Sequence, residues 1–380
     1  MRSSQIDNIR QARKGSVKFI NKEKNLFYPT LKKRVDKFFA VQERSRFGNT
    51  QLFLKTLALL LLYIFPFIIL LAWTLGWIVS MILWGLMGMG LAGLGMSVMH
   101  DANHGAYSSS PVINWCMSHV LNLLGGSTIN WKLQHNILHH TYTNITHMDD
   151  DISAKPGLRL SPHTPYHYTQ RYQWWHAFIL YGLTTLYWVT AKDFIQWMKY
   201  RRDKVNTSSL IQYRWMLVQL IVGKLLYFTI FMVVPTVIFS IPFIKVVSGF
   251  VLMHFLGGLI MTVIFQLAHS LEGTTHPLPD TAGIIENDWA IHQMNTTMNF
   301  SPDNTFLSWY VGGLNFQVEH HLFPKISHVH YPSIAPIVEA TAAEFNIPYL
   351  QHKSFLSALR AHITFLKKLG RLPNIDEAIG

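Results

Sequence analysis

Charged residues vanish from two long stretches of this chain, and the pattern around them predicts its architecture. Residues 56–99 form a run of 44 positions without a single Asp, Glu, Lys or Arg. One helical crossing of a bilayer takes about 20 apolar residues, so this run predicts two crossings joined by a tight turn at 74–76. A second pair is expected after Lys224: residues 225–244 are apolar, Lys245 marks the turn, and residues 246 to about 266 return. Two further apolar stretches, 174–191 (rich in Trp and Tyr) and 114–124, lie between the pairs. A fifth crossing would put the histidines on either side of it on opposite membrane faces, so both stretches are expected as interfacial helices. The predicted fold is an all-α integral membrane protein: four transmembrane helices in two hairpins, with a cytosolic helical cap. Gly85, Gly88, Gly90, Gly93 and Gly95 are read as close helix packing. Residues 1–50 are expected as a basic cytosolic segment, 51–270 as the membrane domain and 271–380 as a cytosolic region, with amphipathic surface helices over 342–369.

Charge and composition sharpen this picture. The net charge is +12, and thirteen Lys or Arg residues fall between Arg2 and Arg46. Basic residues beside apolar spans mark the cytosolic side of a membrane, which takes the place of nucleic-acid binding as their explanation. The polar, basic start of the chain predicts no signal peptide. Cys116 is the single cysteine, which excludes an internal disulfide and any Cys-rich metal or iron–sulfur site. Histidine is abundant instead, with 20 residues, and neutral imidazole ligates transition metals.

Three histidine clusters stand beside the predicted spans. His100 and His104 are spaced i, i+4; His135, His139 and His140 follow i, i+4, i+5; and Gln317, His320 and His321 follow i, i+3, i+4. Each spacing gathers side chains toward one region of a helix. At this histidine content about one HxxxH is expected by chance, whereas three clusters at membrane-helix ends are far rarer. Seven clustered imidazoles exceed the needs of one tetrahedral zinc and point to a two-metal site. Asp101, Asn103, Asn144, Asp149, Asp150, Asp151 and Glu319 are candidates to accept the second imidazole N–H, although Asp151 reads equally well as part of a solvated loop. His119, His163, His167, His176, His352 and His362 read as surface or interfacial residues. His254, in mid-span, reads as buried and hydrogen-bonded.

The strings HDANH (100–104), HNILHHTYTN (135–144) and NFQVEHHLFP (315–324) resemble the three histidine boxes of the membrane fatty acid desaturase family. That resemblance covers nearly the whole chain. It implies a non-haem di-iron centre that uses O₂ as co-substrate to remove two hydrogens from an acyl chain, yielding a cis double bond and water. The implied ligands are His100, His104, His135, His139, His140, His320 and His321, with His269, just after the last span, as a further one. Gln317 stands where many members have His; it is expected to act through water or from the outer shell, as in front-end desaturases, with Gln266, Asp101 and Asn144 around the site. The second box departs from the family's HxxHH, reading HxxxHH here, a variant found among acyl-lipid and front-end types. His292 is expected to line the site without binding iron. An HPGG haem-binding string is absent, so the implied electron donor is a separate protein, either ferredoxin or cytochrome b5 with its reductase.

A fatty acyl substrate, linked to CoA or lipid, offers no polar handle at its reacting carbons. It therefore needs an apolar channel and a head-group anchor, for which Lys132, Arg159 and Lys192 are candidates. The expected absence of a targeting segment and of a retrieval motif is compatible with a bacterial inner membrane, and a basic N-terminus inside predicts histidine boxes on the cytosolic side. A hydroxylase or ketolase would keep the same boxes. A metal transporter would place ligands near the bilayer midplane, and a zinc hydrolase would work without O₂.

Overall fold

The computed structural model describes residues 17–21, 24–153 and 157–373, so residues 1–16 of the expected basic segment lie outside the described residues. The first helix, α1 (Phe27–Val41), buries Phe27, Leu31, Val35 and Phe39 at four-residue intervals and leaves Lys32, Lys33 and Lys37 exposed. Next come α2 (Thr50–Ala72), capped by the Asn49 side chain accepting from the Leu52 N–H, and α3 (Trp77–His104). The middle of the chain holds α4 (Pro111–Ser118), α5 (Thr128–Lys132), α6 (Gln173–Gly182) and α7 (Asp193–Arg202). Two long helices follow, α8 (Leu210–Ile238) and α9 (Phe243–His269). The C-terminal part contributes α10 (Trp289–Thr296), α11 (Gln317–Leu322), α12 (Tyr331–Glu344) and α13 (Phe355–Leu369).

Among the described residues, α2, α3, α8 and α9 are the four helices long and apolar enough to cross a bilayer, with mean hydropathies of 2.4, 1.8, 2.2 and 2.0. They expose Leu54, Leu57, Phe65, Val222 and Leu226, which suits a lipid surrounding. In the centre, α3 and α9 pack closely: a Cβ added at Gly88 would stand 2.6 Å from the Met253 carbonyl oxygen, so only glycine fits there.

The second hairpin differs from the sequence expectation. Its first helix begins at Leu210, well before 225, because Lys224 does not bound the span. The Lys224 ammonium is turned inward, bonded to Asp193 Oδ2 (2.6 Å) and to the carbonyls of Gly125 (2.6 Å) and Trp188 (3.0 Å). A paired charge can stay at membrane depth where an unpaired one cannot. The turn lies at 239–242, closed by Pro242, and Lys245 sits in the first turn of α9, donating to the Leu75 carbonyl of the opposite hairpin. The 174–191 stretch is interrupted at Leu183, and the helical run that resumes at Thr184 passes through Trp188–Lys192 into α7 with its Asp193, Lys199, Arg201 and Arg202, so it is not among the helices apolar enough to cross.

The cap is built from α1, α10, α11 and α12, whose core includes Leu31, Val35, Met294, Val318, Ile334 and Val338. Two short parallel pairings strap it: β1 (Lys18–Phe19) with β2 (Ile284–Ile285), and β3 (Asn299–Phe300) with β4 (Gln351–His352). Because each hairpin goes out and returns, α3 and α9 both end at the cap, with His104 and His269 as their last residues.

Candidate metal centre

Box one occupies the last turn of α3, where Gly105 at φ +73° ends the helix just past His104. A π-helical turn at Leu94–Val98 precedes it, and box two lies on a second π segment, Leu133–His139, running on from α5. A π turn takes one more residue than an α turn and is frequent at functional sites. The longer HxxxHH spacing is therefore absorbed by local backbone geometry. Box three is α11, entered from a loop with Gly312 and Gly313 at positive φ. Gly312 lies against the Met96–Ser97 backbone, where any side chain would collide.

These elements bring eight imidazoles into one buried volume. The ring nitrogens of His100, His104, His135 and His320 lie within 4.8 Å of one another, as do those of His139, His269 and His321, while His140 groups with His320 and His321. The result is two overlapping ligand sets joined through His140, His320 and His321.

The outward-facing nitrogens are tied to the protein. His139 Nδ1 donates to Asp149 Oδ2 (3.0 Å), His321 Nδ1 to Gln293 Oε1 (2.8 Å) and His269 Nδ1 to the Thr296 carbonyl (3.2 Å), while His320 Nδ1 pairs with the Tyr331 hydroxyl (3.1 Å). Such bonds set the tautomer that leaves a lone pair on Nε2. The Nε2 atoms of His104, His139, His269, His320 and His321 are buried with no hydrogen-bond partner. His135 Nε2 meets the Nε2 atoms of His100 (3.1 Å) and His140 (3.2 Å). Buried lone pairs aimed at one another are costly without a cation between them, and this donor set fits two metal ions. Burial, reinforced by neighbouring imidazoles, holds His135, His140, His320 and His321 well below the usual histidine value, in the neutral form a metal needs. In His139, burial also lowers the value, but Asp149 and Asp151 outweigh it and raise the group above 6.5.

The remaining sequence candidates are placed as follows. Asn144, at φ +58°, donates its amide to the His269 carbonyl (2.9 Å) and so braces the α9 terminus, not a ring nitrogen. Asp101 touches no candidate ligand ring: its Oδ2 accepts from His328 Nδ1 (2.9 Å) and Ser327 Oγ (2.7 Å). Gln317 is buried beside His269, and Gln266 is buried with Oε1 unpartnered. Glu319 turns away from the histidines to Tyr349 (2.7 Å) and Asn299 (2.8 Å). His292 is buried on the Thr143 carbonyl (2.9 Å), outside the ligand sets, and burial pushes it down to about 4. Asp151 is half-buried 3.6 Å from His139 and bonded by Gln134, not a solvated loop residue.

His362 is not a surface residue: it is fully buried between Tyr181 (3.0 Å) and the Ser270 carbonyl (2.7 Å). Arg159 is likewise no head-group anchor, being fully buried and holding the carbonyls of Leu369 (3.1 Å), Leu372 (2.6 Å) and Pro162 (2.9 Å). His254 is buried and bonded to Tyr227 (2.9 Å) as expected. Sequence reasoning missed Gln293, Thr296, Tyr331, His328 and Trp131, whose ring stacks on His135 at 4.3 Å. Trp131 stands one helical turn before His135, a spacing visible in the sequence, whereas long-range packing brings the other four to the site.

Four helices fit to span a membrane, capped by a buried histidine constellation that could hold metal, define a membrane protein of the desaturase class. Residues 81–353 match the fatty acid desaturase family, and the chain belongs to it. It is a fatty-acyl desaturase, an oxidoreductase of a family that uses iron and acts on acyl substrates in membranes. The sn-1 linoleoyl-lipid 6-desaturase of Arthrospira platensis is 34% identical over 354 residues, covering 91% of this chain and 93% of that protein. The sn-1 linoleoyl-lipid 6-desaturase of Synechocystis sp. is 34% identical over 92% of this chain and 97% of its own length. The acyl-lipid (8-3)-desaturase of Physcomitrium patens is 33% identical over 94% of this chain and 74% of its own.

Proposed function

We propose that this chain is a di-iron front-end desaturase acting on an already unsaturated acyl chain carried by a membrane lipid. The observation that carries the reading is the pair of overlapping sets of buried Nε2 lone pairs at the shared end of two spans. His100, His104, His135 and His320 hold one iron, and His139, His269 and His321 the other, with His140 between them. Iron bound there supplies the O₂ activation that breaks unactivated C–H bonds. The protein orients eight imidazoles, holds His135, His140, His320 and His321 toward the neutral form while His139 is raised, and excludes water from them by burial. Gln317 in place of a first box-three histidine supports the front-end type, as do relatives named as 6-desaturases and (8-3)-desaturases. Relatives named for lipid-linked substrates support the lipid carrier over CoA.

An apolar cavity of about 410 Å³, bordered by Leu123, Ile129, Gly223, Tyr227 and Ile230, opens beside α5, the helix that carries Trp131 toward His135. Its size and lining suit a stretch of acyl chain. The histidine cap faces the cytosol of a bacterial inner membrane, and a separate ferredoxin or cytochrome b5 with its reductase supplies electrons. The basic residues that begin the chain and precede α2 support that orientation.

The test is gas chromatography with mass spectrometry of fatty acids from a desaturase-deficient host fed linoleate and oleate. Wild type is expected to add a double bond on the carboxyl side of the existing one, and the variant with His320→Ala and His321→Ala is not. Hydroxylated product, or unchanged unsaturation from iron-loaded wild type supplied with a donor, overturns the assignment.

A further inference from the structure

Desaturation leaves an electron requirement that has to be met from the surface. Reducing one O₂ to two waters takes four electrons and four protons. The acyl CH₂–CH₂ pair supplies two of each as it becomes CH=CH, and a reductant supplies the other two electrons while solvent supplies two protons. We propose that the face of α1 bearing Lys32, Lys33 and Lys37 docks a small acidic one-electron carrier protein, whose electrons enter the metal centre at Trp289. This rests on the desaturase reading with a separate donor.

Two aromatic contacts join that face to the centre. Half-buried Tyr28 on α1 meets the Trp289 ring edge-on, with centroids 5.8 Å apart, and stacks on Phe323 at 6.0 Å. Trp289, also half-buried, donates its indole N–H to the His140 carbonyl at 3.1 Å. His140 is the residue shared between the two ligand sets, and Phe323 follows His321 by two positions in the chain. A path of two rings therefore leads from the outside of α1 to the main chain at the metals. On the other side of the histidines, Trp131 also stacks on a box residue, but it sits in the membrane-domain core.

The charge on α1 fits an acidic partner. Lys32 lies one turn beyond Tyr28, and Lys33 and Lys37 are again one turn apart. All three are exposed and make no ion pair among the described residues, whereas Arg34 is committed to Glu344 (2.7 Å) and Arg46 to Asp36 (2.9 Å). Leu26, 64% exposed, offers an apolar contact beside this basic rim. An apolar spot with a charged rim suits a transient complex steered by charge.

The experiment uses full-length, iron-loaded protein in phosphatidylcholine nanodiscs, with a plant-type ferredoxin and the haem domain of a cytochrome b5 as probes. At least one is expected to bind the wild type with an affinity that falls as salt rises. The triple variant K32E/K33E/K37E is expected to bind it about tenfold more weakly. In anaerobic stopped flow at saturating carrier, Trp289→Leu is expected to slow carrier oxidation about tenfold at unchanged affinity and iron content, and Trp289→Phe, which keeps a ring against Tyr28 but loses the N–H bond to His140, to restore part of the rate. Binding of neither probe, wild-type affinity in the triple variant, a charge effect seen only with anionic vesicles, or a wild-type rate in Trp289→Leu overturns the inference. Wild type reduced by dithionite and given O₂ and lipid separates the two failures. Desaturated product there leaves the desaturase reading standing, and no product removes that reading itself.

Discussion

Replacing Asp149 by Asn tests whether the carboxylate behind His139 governs the metal site. Asp149 is fully buried; its Oδ2 accepts from His139 Nδ1 (3.0 Å) and the Asn144 N–H (3.0 Å), and its Oδ1 from the Asp151 N–H (2.9 Å). An amide offers one acceptor oxygen where the carboxylate offers two, so an NH₂ group must face either the Asp151 N–H or both His139 Nδ1 and the Asn144 N–H, and the negative charge behind His139 is lost in either orientation. Loss of such an outer partner lowers metal affinity about 10–100-fold, or about 1.4–2.7 kcal/mol. The pH profile should change as well. Burial lowers the His139 value, and Asp149 with Asp151 more than reverses this, so His139 titrates above 6.5 in the apoprotein. Iron must displace that proton from Nε2. Wild-type affinity is therefore level above the raised value and falls by about tenfold per pH unit below it.

The sign for stability is opposite. The raised His139 contributes to apoprotein stability fully below 6.5 and loses that contribution as pH rises through its folded value. In Asp149→Asn burial dominates, and the fall in affinity moves to lower pH. Anaerobic titration of apoprotein with ferrous iron against a chromophoric chelator, across the neutral range, measures both effects. Equal affinities and superimposable pH profiles in the two proteins would refute the reasoning.

Three further outcomes are expected. Lys224→Met leaves the fully buried Asp193 carboxylate without its cation; a loss of about 3–5 kcal/mol is expected in thermal unfolding in detergent, and an unchanged Tm would show that the pair carries no weight. Gly249→Ala drives a methyl into the Trp84 ring and should cost about 1–3 kcal/mol, whereas Gly223→Ala meets nothing and should be neutral to stability; the same calorimetric scan ranks the two. Burial raises Glu319 to about 7 from an ordinary 4.5, so the folded state holds its proton more tightly. Its contribution therefore weakens as pH rises from 4.5 through about 7, by about 3 kcal/mol in all; the wild-type curve of Tm against pH should carry that slope and Glu319→Gln should not, so parallel curves would exclude it.

The periodic and compositional parts of this protein were legible in one dimension. Apolar runs longer than a bilayer crossing can have few other fates, which is why four spans and the common end of the histidine clusters followed from the chain itself. The clusters were equally readable, because i, i+4 spacing is a local property that survives folding. Errors arose where a local sign met a distant partner. Lys224 read as the edge of a span because a lone charge avoids lipid, and Asp193 with two carbonyls reversed that. Arg159 read as a surface anchor and His362 as a surface residue, and both are buried on main-chain carbonyls far away in sequence.

The sequence by itself therefore determined the membrane class, the span count, the histidine clusters and the family. Only the tertiary structure decided how eight imidazoles divide into two sets, which nitrogen each turns inward, and which of Asp149, Gln293, Thr296 and Tyr331 holds each ring. Those partners stand 10 to 28 positions from the rings they hold, and no spacing rule reaches that far. Their selection depends on the free energy of burying every polar group with a partner, a condition satisfied only when the whole chain is packed.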